Sequence, residues 1–144
     1  MSEKLIFFNR IKKIIAGSTV PYPERENPWL EIGYITYYED SYKVYLSFYV
    51  KKPYNNNLHL EMKIPRKEEE AFDSLEKFRT KASTKFKINI ERVNNRSNGN
   101  SAFIFAIKCD KEGYPDQEKW AIDNYETFIS AMKWMVEQST KTFI

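Results

Sequence analysis

Residues 42–65 read YKVYLSFYVKKPYNNNLHLEMKIP. In the first half, Tyr42, Val44, Leu46, Phe48 and Val50 alternate with Lys43, Tyr45, Ser47 and Tyr49. In the second, Leu58, Leu60, Met62 and Ile64 alternate with His59, Glu61 and Lys63. A period of two puts each set on its own side of a pleated strand. Two half-buried strands joined through the polar run Pro53–Asn57 therefore form an antiparallel pair. Upstream, residues 29–38 supply a third strand, with a tight turn expected at Glu39-Asp40-Ser41. The result is a three-stranded meander with one apolar face, which needs helices to cover it.

Helical periodicity lies on both sides of the meander. Leu5, Phe8, Ile11, Ile14 and Ile15 recur at helical spacing over residues 3–16, with Ser2 to cap the start and Gly17 to end it. Pro21, Pro23 and Pro28 make residues 18–28 a loop. Pro65 opens a second helix over residues 66–83, with Ala71, Phe72, Leu75, Phe78 and Ala82 as its apolar stripe. A hairpin from Phe86-Ile88-Ile90 to Phe103-Phe105-Ile107 follows, with the turn signal Asn98-Gly99 in a polar loop. The last helix starts near Asp116 and buries Ile122, Tyr125, Phe128, Ile129, Met132, Met135 and Val136. The order is α-βββ-α-ββ-α. The fold class is α+β, an antiparallel sheet of about five strands with helices packed on it.

The bulk numbers agree. A chain of 144 residues predicts one domain. Hydrophobic content of 42% and aromatic content of 16% exclude a disordered chain. The net charge of +3 permits nucleic-acid contact without demanding it. Cys109 is the only cysteine, so no intramolecular disulfide forms and a reducing, cytoplasmic setting is expected. The apolar quartet Leu5–Phe8 is too short for a secretory core or a membrane span, and no membrane association is expected.

Chemistry-bearing residues are few. Glu61 and Lys63 share one strand face, and Asp40 lies at the turn before the preceding strand. Two carboxylates and a lysine on neighbouring strands can hold a magnesium ion and orient a water at phosphate, as small restriction-type nucleases do. Ordinary charge pairing on a solvated strand explains the same residues. His59, the only histidine, has no nucleophile placed beside it by any motif. Tyr37, Tyr45 and Tyr49 are expected on the outer face with His59, flanked by Lys43, Lys51 and Lys63. Such a face can stack bases and hold phosphates, unless a helix covers it. Arg92, Arg96 and Lys108 surround the polar hairpin loop and form a second phosphate candidate.

Several stretches also carry a resemblance. They are the Leu5–Ile15 helix, Asn27-Pro28-Trp29, Leu58-His59-Leu60-Glu61 and Ala71-Phe72-Asp73-Ser74-Leu75-Glu76. Ile88-Asn89-Ile90-Glu91-Arg92, the strand of residues 102–107 and the run from Gln117 through Trp120 and Trp134 to Phe143 complete the order. Together they resemble a bacterial and archaeal domain of unknown function, often found C-terminal to restriction-nuclease-like regions. In that family the Lys63 position is usually aromatic or aliphatic, whereas Glu61 fits. The resemblance implies an accessory domain of nucleic-acid-handling or defence-related systems, with no catalytic residues to carry over. The expectation is a non-enzymatic binding module, contacting nucleic acid or a protein partner and needing no cofactor. Magnesium enters only under the nuclease alternative with Asp40, Glu61 and Lys63.

Overall fold

A computed structural model describes residues 3–16, 29–49, 57–94, 100–107 and 114–142. Helix α1 (Glu3–Ala16) leads to three strands, β1 (Trp29–Tyr37), β2 (Asp40–Tyr49) and β3 (Asn57–Pro65). A single 3-10 turn, Arg66–Glu68, precedes α2 (Glu69–Glu76) and α3 (Arg79–Phe86). The short β4 (Glu91–Val93), β5 (Asn100–Ala106) and the long α4 (Tyr114–Thr142) complete the order. All neighbouring strands are antiparallel, in the order β1-β2-β3-β5-β4. The α+β architecture is the one the alternation and helical stripes predict.

The apolar set of each strand forms one core. Tyr42, Val44, Leu46 and Phe48 of β2 share it with Leu58, Leu60, Met62 and Ile64 of β3. The helices pack against this same face. Phe7 of α1 meets Phe48 edge-on, with ring centroids 6.4 Å apart. Phe72 of α2 lies 4.7 Å from Phe103. Trp120 of α4 lies 5.2 Å from Phe105. Trp134 of α4 receives Phe78 and Phe86 from either end of α3. Full burial of aromatic and aliphatic side chains like these contributes about 1.5–3 kcal/mol each. In α1, Phe7, Phe8 and Ile11 are buried and Ile14 is exposed, so the stripe is rotated from the expected one.

Two expected elements differ. The helix anticipated over residues 66–83 is broken at Lys77 and Phe78. There the Phe78 N–H bonds the Leu75 carbonyl, a tightened last turn, while its ring is drawn toward Trp134. Arg79 then pairs with Glu76 at 2.9 Å and donates to the Ile90 carbonyl at 2.9 Å. The strand expected over Phe86-Ile88-Ile90 is also displaced, to Glu91–Val93. Phe86 ends α3, and Lys87 turns the chain with a left-handed φ of 57°. Ile90 donates its N–H to Ser83 Oγ and accepts from Arg79, so its backbone is satisfied by side chains rather than a ladder.

Candidate functional site

The β2–β3 register places the outer face as the alternation predicts. Tyr45 stands opposite Glu61, and Ser47 opposite His59. Lys63 stands opposite Ala102 of β5. Tyr37 does not join them, which corrects the expectation. It is buried on the core face, with its hydroxyl 2.9 Å from that of Ser139 on α4. The cause is the turn. Tyr37 pairs with Asp40, so the hairpin closes through Tyr38-Glu39, one residue before the expected position. Tyr38 adopts the left-handed conformation there, with φ 56°. A one-residue shift moves every side chain of the strand to the other face. A register irregularity between Glu31 and Gly33 shifts the parity again. Trp29, Glu31 and Tyr34 then lie outward, opposite Ser47, Tyr45 and Lys43.

Exposure falls across this face from β1 toward β5. Tyr34 is 65% exposed and Trp29 43%, whereas His59 and Glu61 are fully buried. Ala102 and Ile104 on β5 are also fully buried. His59 is thus not the surface residue its alternation suggested. Glu61 organises the buried part. Its carboxylate lies 3.6 Å from Lys63 Nζ and 3.4 Å from His59 Nε2, and it accepts from Ser47 Oγ at 3.4 Å. Lys63 also lies over the Tyr45 ring, 4.6 Å from its centroid. Trp29 meets Tyr45 edge-on at 5.6 Å. Burial pushes the Tyr45 phenol above its usual range, against the pull of Lys43. The Ser47 hydroxyl points to a carboxylate, not to the imidazole, so these groups are not arranged as a nucleophile and its base.

Asp40, Glu61 and Lys63 do not converge. Asp40 pairs with Tyr37 on the core-side parity of β2, and Glu61 pairs with Tyr45 five positions along. Five strand residues span about 17 Å. Asp40 instead lies beside Glu68, whose carboxyl it helps to raise and which accepts from the Tyr42 hydroxyl at 3.1 Å. Among the described residues, no group of three His, Cys, Asp or Glu side chains is placed to hold a metal ion.

The loop cluster is represented by one residue. Arg92 pairs with Asp73 at 2.7 Å, donates to Asn94 at 2.8 Å and stacks 4.4 Å over the Phe72 ring. Its guanidinium is committed to the fold. Arg96 and Lys108 lie outside the described residues, as does the side chain of Tyr49.

Trp29 enters the sequence reading only through the stretch Asn27-Pro28-Trp29, and Tyr34 not at all; neither is expected there as part of the outer face. The signal that finds them is hairpin parity, which requires knowing both the turn position and the bulge. With Tyr45, they form an aromatic row on two adjacent strands. Tyr34 stands directly opposite Lys43, and its diagonal neighbour Tyr45 is about 7–8 Å away. Glu31 pairs with Lys43 at 3.6 Å and tempers its charge. No helix among the described residues is long and apolar enough to cross a membrane. Comparison of the chain with protein-family models, curated proteins and solved structures gives no match.

Proposed function

We propose that this protein is a non-enzymatic accessory module that binds single-stranded nucleic acid on the outer face of β1 and β2. The observation that carries the reading is the row Trp29, Tyr34 and Tyr45, interleaved with Lys43 and Lys63, on the face opposite the helix-packed one. Aromatic faces on a sheet stack unpaired bases with little regard to sequence, and nearby ammonium groups hold the intervening phosphates. A duplex offers no unstacked base to such a row. The resemblance to an accessory domain of nucleic-acid-handling systems supports the same reading.

Fluorescence anisotropy with a labelled single-stranded oligonucleotide tests it. Binding weakens with salt, with a log–log slope of roughly −1 to −2, because each lysine on a single-strand phosphate contributes about −0.7. Trp29→Ala weakens binding by about 1–3 kcal/mol through lost stacking. Glu31→Gln tightens it, because Lys43 loses its competing carboxylate. Absence of binding in low salt, or binding indifferent to all of these changes, refutes the proposal. A protein partner recovered on the same face would then take the place of nucleic acid.

A further inference from the structure

Between β2 and β3 the outer face carries a hollow of about 200 Å³, lined by Ser41, Tyr42, Lys43, Tyr45, Lys63 and Pro65. Its two lysines are set against each other. Val44 stands opposite Met62, so one step further along the register brings Lys43 opposite Lys63. Like charges directly opposite destabilise a sheet, and an anion between them removes that cost. Each lysine has a carboxylate nearby, Glu31 for Lys43 and Glu61 for Lys63, but both stand at 3.6 Å. That is beyond hydrogen-bond range, so the carboxylates temper the charge and leave the ammonium donors to a ligand. Lys63 also lies over the Tyr45 ring, which joins the hollow to the aromatic row.

We infer that this hollow holds the terminal phosphate of the bound single strand, a phosphomonoester at its 5′ or 3′ end. The aromatic row then reads the end of a strand and not its interior. The inference rests on the base-stacking reading above. Three observations select an end. The first is charge: a monoester carries about two negative charges at neutral pH and a diester only one, and two ammonium groups match the former. The second is that the face is closed beyond Lys63. Glu61 and His59 of β3 and Ala102 and Ile104 of β5 are fully buried, whereas the side chain of Lys63 is 26% exposed and that of Lys43 57%. A chain crossing from β1 therefore stops at Lys63. The third lies past Ser41 and Pro65, where the neighbouring hollow at Tyr42 is lined by Asp40, Glu68, Glu69 and Glu70 against Arg66 and Lys67. That excess of carboxyls repels a further phosphodiester. The open approach is from Trp29, four strand residues or about 13 Å along β2 from the level of Lys43.

Competition against an internally labelled single strand tests it on the full chain. The competitors share one sequence and are 5′-phosphorylated, 3′-phosphorylated, unphosphorylated or closed into a circle. One phosphorylated form binds roughly tenfold or more tighter than the unphosphorylated strand, and the circle binds no tighter than the latter. The preference shrinks between about pH 7.5 and about pH 5, as the monoester loses its second charge near pH 6. Lys63→Gln and Lys43→Gln each bring the phosphorylated and unphosphorylated strands to within about twofold, because one ammonium no longer distinguishes them. That ratio is taken on one sample, so it is insensitive to any fraction that fails to fold. Equal binding of all four strands, a circle as tight as the phosphorylated form, a preference unchanged by pH, or one intact in either variant overturns the inference and leaves base stacking standing. No binding by any strand removes both.

Discussion

Glu61 is the residue on which the centre of the outer face depends. It is fully buried and faces Lys63, His59 and Ser47 at once. Removing one member of a buried charged cluster leaves the others uncompensated. Glu61→Ala should therefore cost about 3–5 kcal/mol in denaturant unfolding. A loss under about 1 kcal/mol, the range of an exposed pair, would show that the carboxylate is solvated. Glu68 makes a second, pH-dependent case. Burial and the Asp40 carboxyl beside it raise its carboxyl above the ordinary range, against the bond donated by Tyr42. A carboxyl with a raised folded pKa binds more protons folded than unfolded. Its contribution is full below the unfolded value of about 4.3 and is lost as pH rises through the folded value. Glu68→Gln removes that loss, so its gain over wild type should be larger near neutral pH than near pH 4. An equal difference at both pH values would contradict the assignment. At this scale the sequence showed which face Glu61 and Lys63 share. It did not show that His59 is sealed in, because alternation reports a face and not its cover.

Turns and helix ends decided where the elements departed from their patterns. Tyr38 and Lys87 both hold left-handed backbone without being glycine. A side chain with a Cβ is disfavoured there, which is why neither position announces a turn. The misplaced turn sent Tyr37 to the core, and the unmarked helix end let α3 run to Phe86, where alternation suggested a strand. Lys87→Gly follows directly. It relieves the strain at the C-terminus of α3 and should stabilise by about 0.5–1 kcal/mol in urea unfolding. A destabilised variant would show that the Lys87 side chain makes a contact outweighing the backbone term. The β2–β3 pair was legible throughout, because its alternation is unbroken and its register has no bulge.

At the scale of the whole fold, the described helices and the core occupy one side of the sheet, and the other side grades from exposed aromatics on β1 to fully buried residues on β3 and β5. Helical periodicity and strand alternation are sufficient to reach that architecture. The site needed more, because Trp29 and Tyr34 reach the outer face only through the position of the β1–β2 turn and the bulge in β1. The central claim is that unpaired bases stack on this aromatic row. Nuclear magnetic resonance of the labelled protein, titrated with a single-stranded oligonucleotide in low salt, tests it most directly. The account predicts shifts concentrated on the Trp29 indole and on Tyr34, Lys43 and Tyr45, with α1 and the exposed side of α4 unmoved. Shifts centred on the helices, or none at saturating oligonucleotide, would contradict it.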